Sequence, residues 1–205
     1  MQRHAGWEPG WEDIENAFCT AYGRDAAAFI GIECISDRPS PLKGVGVYRA
    51  ERGYTHLVTK GLSQIAPNAD AFGAARSGLG FELTAKCAAR DLAALLPLLR
   101  LLERLACYAE TRKTFFRPYT AVSLSAKLGV VAPAGCAFAA VALAPDTEIP
   151  SVQTPHGCVE LMQLVPICAA DWARVKRSPR LIRQCVYAMQ KEDPGLILPS
   201  ARIDS

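Results

Sequence analysis

The chain has 205 residues, of which 50% are hydrophobic and 21% are charged, and its formal net charge at pH 7 is +3. This composition is typical of a globular domain with a core and excludes a disordered chain. No apolar run reaches the ~20 residues that a membrane-spanning helix needs, and residues 1–8 lack the apolar segment of a signal peptide. We therefore expect a cytoplasmic protein with a single domain over residues 1–205, whose core extends from about residue 10 to residue 200.

The charged residues and the cysteines predict no cofactor site. Acidic and basic residues are interspersed, and the basic residues between 174 and 183 have no aromatic ladder beside them, so a solvated helix face is favoured over a nucleic-acid site. The eight cysteines are scattered without a CxxC pair, whereas a zinc site needs closely spaced ligands. We expect free thiols, no metal or other cofactor, no nucleic acid and no membrane partner.

The first half of the chain predicts one helix followed by strands. Apolar residues recur at helical spacing after Trp11, acidic residues occupy the first turn, and Gly23 is a suitable C-terminal stop. Short apolar or alternating runs predict strands at residues 29–35, 45–48, 54–60 and 79–86. A turn at residues 51–53 makes a hairpin of the second and third strands, and the third and fourth are expected to be neighbours in one sheet.

The strand at residues 79–86 is the one around which we place the rest of the chain. Its apolar residues alternate with Glu82, Thr84 and Lys86, which predicts a half-buried strand with one face in the core. Gly78 and Gly80 can supply a tight turn or a close backbone approach. Glu82 is predicted either to face solvent or to fix a neighbouring loop by accepting backbone hydrogen bonds, and a structural role is favoured over direct contact with a partner.

The second half predicts helices and strands in alternation. Pro97 suits the first turn of a helix that ends near Arg112, with Glu103 among its outward-facing residues. Strands are predicted at residues 121–126 and 136–143, with a buried central strand at 158–168. Helical segments begin at Ala169 and after Ser178, and a last strand covers residues 196–198. The fold class is therefore α+β, a single domain with a mixed, mainly antiparallel β-sheet packed against helices.

The sequence contains little that could perform chemistry. Cys158 and His156 form the one sequence-local pair of thiol and imidazole, but Pro155 and Gly157 around the histidine predict a turn. His56 is predicted to be structural or solvent-facing, as lone histidines in strands usually are. A third glycine is missing after Gly80, and a strand rather than a helix follows, so no nucleotide site is predicted there.

Two stretches resemble the motifs of the Suppressor of Fused domain family. The first comprises residues 55–63 and, after a polar loop, residues 77–84; the second begins at Val152 and continues through Val165. The resemblance extends from about Trp11 to the last strand, and the family pattern has an aromatic residue where this chain has His156. The motif residues, taken as partner-binding or loop-forming candidates, are Gly61, Leu62, Ser63, Gly78, Gly80, Phe81, Glu82, Gln153, Thr154, Pro155, His156 and Gly157.

The resemblance implies a non-catalytic protein-binding module. Animal members of the family hold Gli-type transcription factors by capturing an extended peptide between this domain and a C-terminal domain. We expect this chain to lack that second domain, so a Gli-like partner is not expected. The composition looks bacterial, and stand-alone bacterial relatives are thought to be immunity proteins that neutralise a cognate toxin. The expected partner is thus a toxin or an extended peptide segment.

Two other classes of function stay open. One is a small hydrolase or transferase that uses Cys158, His156 and Glu82. The other is a homo-oligomeric scaffold, in which an exposed edge strand pairs with its twin. For the leading hypothesis we expect a monomer or a weak homodimer.

Overall fold

The computed structural model describes residues 11–64, 76–112, 115–125 and 138–198. The strands are β1 (Ala27–Gly31), β2 (Gly44–Arg49), β3 (Thr55–Lys60), β4 (Arg76–Cys87), β5 (Thr120–Ser123), β6 (Phe138–Pro145), β7 (Ser151–Thr154) and β8 (Gly157–Cys168). The helices are α1 (Trp11–Tyr22), α2 (Leu92–Arg112), α3 (Ala169–Val175) and α4 (Pro179–Glu192). These elements confirm the predicted α+β class, with a mixed and mainly antiparallel sheet.

The eight strands form one sheet in the order β1-β2-β3-β4-β8-β6-β5. Neighbours are antiparallel except β4 and β8, which are parallel. On the side away from β4, the central strand β8 pairs first with β7 and then with β6. Residues 146–150 leave the sheet between those two strands. Both ends of this excursion bond to Leu161, which accepts from the amide of Asp146 at 2.8 Å and donates to the carbonyl of Pro150 at 2.9 Å.

The two faces of the sheet are covered by different helices. The α2 side holds the largest apolar cluster, which includes Leu57, Leu83 and Leu102. On the opposite face, α1 packs over one end of the sheet, with Phe18 against Tyr48 and Val58, and α3 and α4 pack over the other end. The region between these two smaller apolar clusters is where polar side chains are buried.

The structure corrects the predicted exposure of β4. Glu82, Thr84 and Lys86 each have 0% exposure, so the prediction of a strand buried on one face only was wrong. The reason is that α1 and the excursion at residues 146–150 both lie on that face. A polar alternation has the same period whether its polar face meets water or a buried network.

Helix α2 also differs from its prediction. It begins at Leu92, so Pro97 lies inside the helix rather than in the first turn. A proline at this position leaves the carbonyl of Ala93 without its helical donor, and Ala93 is exposed, so water can take the donor's place. Glu103 was expected to face outward but is buried, and its carboxylate accepts from the Cys107 thiol at 3.2 Å.

Three predicted strands are shorter than expected. The strand predicted at residues 121–126 ends at Ser123. The strand predicted at residues 29–35 ends at Gly31 and gives way to a 3-10 turn at residues 32–34. The strand predicted at residues 196–198 is reduced to one parallel bridge between Leu198 and Cys87. Asp193 accounts for this, because its carboxylate accepts from the amides of Gly195 and Ile197 and folds the segment into a turn. The predicted loop at residues 129–135 lies outside the described residues.

Candidate functional site

The first motif is organised around the buried carboxylate of Glu82 on β4. One of its oxygens accepts from the amide of Gly61 at 3.0 Å, and from the amide and hydroxyl of Ser63 at 2.9 and 2.7 Å. The other accepts from the hydroxyl of Thr59 at 2.6 Å. Burial raises the pKa of Glu82, and these donated hydrogen bonds oppose that rise. Glu82 therefore fixes the turn after β3, as the second of the two predicted roles requires.

Two glycines allow that turn to lie against its neighbours. Gly78 has a φ of 58°, and a Cβ there would lie 2.3 Å from the carbonyl carbon and oxygen of Ser63. Gly61 has a φ of 152°, and a Cβ there would lie 2.4 Å from the carbonyl oxygen of Pro41. Neither glycine position tolerates a side chain, because real Cβ atoms do not come within 3 Å of backbone atoms.

The other residues of the first motif are in the core as well. Leu62 has 0% exposure, and Phe81 faces the α2 side with its ring centroid 5.4 Å from that of Phe116. Gly80 is buried within β4 and has a φ of 78°. The first motif thus presents no exposed side chain among its candidate residues.

The second motif forms the hairpin between β7 and β8, and its tip is at the surface. Gln153, Pro155 and His156 are exposed, and Pro155 and His156 form the turn. The hydroxyl of Thr154 closes it, since it donates to the carbonyl of Gly157 at 2.8 Å and accepts from the amide of His156 at 3.2 Å. Gly157 has a φ of 117°, which favours glycine.

The two motifs meet at one end of the sheet. Arg76 at the start of β4 pairs with Cys158 at the start of β8, so both motifs lead into neighbouring parallel strands. Cys158 also pairs with Gln153 across the hairpin, whereas His156 lies in the turn outside the ladder. Cys158 is half-buried and His156 is exposed, so the two residues occupy different environments.

A second polar cluster, the Asp146 cluster, is buried between α1 and the α3–α4 pair. Asp146 accepts from the Nε2 atom of His56 at 2.8 Å and from the hydroxyl of Thr84 at 2.6 Å. The ammonium of Lys86 lies 3.3 Å from its other oxygen. His56, Thr84 and Lys86 project from β3 and β4, while Asp146 begins the excursion at residues 146–150.

The side-chain amide of Gln163 is buried in β8, where it has hydrogen-bond partners on neighbouring segments. Its carbonyl oxygen accepts from the backbone amide of Thr147 at 3.2 Å and lies 3.5 Å from the Lys86 ammonium. Its amide nitrogen donates to the carbonyls of Gly195 and Leu196, at 2.8 and 3.2 Å. Gln163 therefore holds both the excursion and the segment after α4 against the sheet.

The Asp146 cluster reaches the surface through two tyrosines and Glu148. The hydroxyl of Tyr22 lies 2.6 Å from the Nδ1 atom of His56, and the hydroxyls of Tyr22 and Tyr54 both contact the carboxylate of Glu148. These residues border a surface pocket of about 560 Å³, here named the tyrosine pocket. It is lined by Tyr22, Gly23, Glu51, Arg52, Tyr54 and Glu148, with two alanines between them.

Burial and charge set the ionisation of this cluster. Burial alone would raise the pKa of Asp146, but the His56 hydrogen bond, the Lys86 ammonium and the Thr84 hydroxyl hold it well below its usual range. Burial lowers the pKa of His56, and Asp146 only partly opposes this. The His56 ring contacts Asp146 through Nε2 and the Tyr22 hydroxyl through Nδ1, and that hydroxyl donates its proton to Glu148. Burial raises the pKa of Glu148.

The sequence carried only a weak signal for the Asp146 cluster. His56 was predicted to be structural or solvent-facing, and the structure shows the structural case. Asp146 and Glu148 lie between two prolines after an apolar strand and were predicted only as part of a break in the chain. A better signal was Gln163, because a lone amide in an apolar strand needs buried hydrogen-bond partners.

The described residues contain neither a cluster of metal ligands nor a membrane-spanning helix. Over those ranges, no group of three or more histidine, cysteine, aspartate or glutamate side chains is arranged to hold a metal ion. None of the helices in the same ranges is both long enough and apolar enough to cross a bilayer.

Known proteins resemble this chain in sequence and in fold. Residues 38–202 match the family model described as Suppressor of fused protein (SUFU). No curated protein sequence matches the chain.

Solved structures share the fold. Drosophila Suppressor of Fused aligns with a TM-score of 0.72 and 18% identity over 97% of this chain and 51% of its own, so this chain spans about half the length of that protein. A chain of the Sufu–Fu complex crystal structure aligns at 0.70 with 18% identity, over 97% of this chain and 92% of that one. A SUFU homolog from Neisseria gonorrhoeae FA 1090 aligns at 0.59 with 10% identity, over 91% of this chain and 92% of that one.

Proposed function

Because the chain belongs to the Suppressor of fused family, we propose that it is a non-catalytic module that binds a protein partner. A solved structure with the same fold comes from a complex, that of Sufu with Fu. Within the described residues, the motif positions build a turn and a hairpin rather than a nucleophile with an adjacent base. Both points favour binding over turnover.

The observation that carries the proposal is the edge strand β1. It is the terminal strand of the described sheet, pairs only with β2 there, and exposes Ala27, Ala28 and Phe29. An edge strand presents unpaired backbone groups to which an extended segment of another protein can add as a further strand. The opposite edge strand, β5, is in contact with α4.

Phe29 gives the β1 edge a side-chain anchor. Its ring is 51% exposed, and the Lys60 ammonium lies 5.2 Å from the ring centroid and 5.4 Å from that of Trp11. Gly44 allows the ring to lie across β2, since a Cβ there would be 2.5 Å from the ring. Exposed aromatic rings held in one orientation are common anchors in protein interfaces.

The finer form of the proposal is an immunity protein of bacterial origin that acts in the cytoplasm. It would neutralise a cognate toxin by pairing β1 with a strand of the toxin and by covering part of its surface. The free protein would be a monomer or a weak homodimer, and the complex would be one-to-one. No cofactor, membrane or nucleic acid is needed for such a role.

The test is capture followed by reconstitution. The tagged chain is used to capture proteins from lysate of its native host and to screen the products of neighbouring genes, and each candidate is purified and titrated. We expect a single partner at one-to-one stoichiometry. Ala28→Lys, which places a charge on the β1 edge, should weaken its affinity by about tenfold or more.

Ala173→Lys is the matched control, because Ala173 is exposed on α3, away from β1 in the strand order. It should leave the affinity unchanged. If no protein binds specifically, the binding-module proposal fails. If Ala28→Lys binds as tightly as the wild type, β1 is not the binding edge. Growth rescue on co-expression with the partner separates a toxin from other partners.

A further inference from the structure

We infer that the tyrosine pocket receives a lysine or arginine side chain of the protein partner. This inference rests on the proposed function, because it concerns the contact that the same partner makes beside β1. The pocket has a volume of about 560 Å³, which is enough for the end of one such side chain.

The walls of the pocket suit a cation. The rings of Tyr22 and Tyr54 have centroids 6.5 Å apart and stand at 88° to each other, so they form two perpendicular aromatic walls. The faces of aromatic rings carry negative potential and attract ammonium and guanidinium groups. Both hydroxyls contact the Glu148 carboxylate, which fixes the two rings around one acidic group.

The charge behind these walls is negative. The Asp146 cluster and Glu148 together contain two carboxylates and one ammonium group, that of Lys86, and burial lowers the pKa of the one imidazole, His56. Lys86 is closer to Asp146, at 3.3 Å, than to Glu148, at 4.0 Å. The Glu148 side chain is 29% exposed, so it can meet a ligand from solvent. A second cation, supplied by a ligand, would give each carboxylate a cationic partner.

The end of helix α1 adds to this potential. Ala21, Tyr22 and Gly23 line the pocket where the helix stops, and its last turn contains no basic residue. A helix C-terminus carries partial negative charge from carbonyls that lack an intrahelical donor. Arg52 is the lining residue that opposes a cationic ligand, but it is exposed and its neighbour Glu51 also lines the pocket.

The position of the pocket points to the partner as the source of the cation. Gly23 is joined to β1 by the 3-10 turn at residues 24–26, and Ala50 directly follows β2. Ala27 pairs with Tyr48, so this end of the edge strand adjoins the pocket. A partner strand that adds to β1 can therefore place a basic side chain between Tyr22 and Tyr54.

The experiment uses a probe that does not depend on finding the partner. The isotope-labelled chain is titrated by NMR with N-acetyl-arginine amide and, separately, with N-acetyl-citrulline amide, which has a similar shape but no charge. We expect saturable shifts at the amides of Tyr22, Gly23, Ala50 and Tyr54 with the arginine compound alone. Glu148→Gln should weaken this binding by about tenfold, and Arg52→Ala should strengthen it severalfold.

Glu192→Gln is the matched control, since it removes the same charge from an exposed position on α4. It should leave the titration unchanged. Shifts that do not saturate, that are equal for citrulline, or that survive Glu148→Gln would overturn the inference. In the reconstituted complex, a partner affinity unchanged by Glu148→Gln would also overturn it while the proposed function stands. Failure to find a partner would contradict the proposed function. The titration would still test whether the pocket binds cations.

Discussion

The Oε1 atom of Glu82 accepts hydrogen bonds from both the amide and the hydroxyl of Ser63, at 2.9 and 2.7 Å. This contact ties the turn after β3 to the middle of β4. Gly78 packs against the same turn, so one carboxylate and one glycine hold it from two sides. We therefore propose that the first motif specifies the shape of this turn, and that only the hairpin tip of the second motif is available to a partner.

Replacing Glu82 should show that its hydrogen bonds, rather than its bulk, hold the turn. Glu82→Leu has a similar size but no acceptor, so the buried amides of Gly61 and Ser63 lose their partner. We expect the free energy of unfolding to fall by about 3–5 kcal/mol. Glu82→Gln keeps one acceptor oxygen for those amides and should cost about 1 kcal/mol. Urea unfolding of the three proteins measures both values.

Equal stability of the leucine and glutamine variants would contradict this account. It would mean that the acceptor oxygen kept by glutamine contributes no net stability to the turn. Glu192→Gln, at an exposed position on α4, should stay within about 0.5 kcal/mol of the wild type and controls for loss of charge alone.

Alanine variants of Gly78 and Gly23 should distinguish the cost of backbone strain from the cost of steric clash. Both have a positive φ, 58° and 84°, but a Cβ at Gly78 would lie 2.3 Å from the backbone of Ser63, while a Cβ at Gly23 would meet nothing within 4 Å. Gly23 has a ψ of 150°, so Gly23→Ala should cost about 1–3 kcal/mol, the strain of an alanine in a backbone region that glycine alone adopts readily. Gly78→Ala should cost at least about 3 kcal/mol more, because the turn must also move.

Thermal unfolding followed by circular dichroism gives this comparison. A loss in Gly78→Ala no greater than that in Gly23→Ala would show that the turn at Ser63 shifts easily. The contact would then not define the motif.

The sequence was informative about local structure and much less so about the sheet. Hydrophobic periodicity located α1, the β2–β3 hairpin and β8 to within a few residues, because each pattern arises within one element. The parallel pairing of β4 with β8 was not predicted. It joins Glu82 to Leu161, which is 79 positions further along the chain, and no local pattern encodes that distance.

The Asp146 cluster was missed for a related reason. His56 and Asp146 are 90 positions apart, and only the excursion at residues 146–150 brings them together. The alternation of Glu82, Thr84 and Lys86 was correctly read as one face of a strand, but periodicity does not tell whether a polar face is solvated or buried. The turn at His156, by contrast, was predicted from Pro155 and Gly157 alone, because its signal is local.

Replacing Cys158 with alanine tests the alternative that the protein is a cysteine-dependent enzyme. If the chain is a binding module, Cys158→Ala should leave the affinity for the reconstituted partner within about twofold of the wild type, since Cys158 is half-buried in the β7–β8 ladder. The midpoint of thermal unfolding should fall by a few degrees at most. A variant that keeps its melting temperature but loses a measurable turnover would instead support the enzyme.

Acid should destabilise the protein through His56. Its pKa is lowered in the folded state, so between the folded value and the unfolded value of about 6.5 the folded protein binds fewer protons than the unfolded chain. The free energy of unfolding should then rise with pH across this window and fall as pH decreases below about 6.5. The slope from one such group is at most about 1.4 kcal/mol per pH unit.

His56→Gln should remove this slope, and urea unfolding at a series of pH values from 5 to 8 measures it as the difference between the two curves.

The groups around the His56 ring are Asp146, Lys86, Glu148 and Tyr22. The pKa of Glu148 is raised, so Glu148 gives a contribution of opposite sign that is lost as pH rises. That contribution is common to both proteins as long as Glu148 has the same surroundings in each. The difference between the two stability curves then measures the effect of the imidazole. His156→Gln makes the same change at an exposed position in the β7–β8 turn and controls for the exchange of histidine for glutamine. Parallel curves for His56→Gln and the wild type would show that His56 binds its proton equally well folded and unfolded, which is incompatible with a pKa lowered by burial.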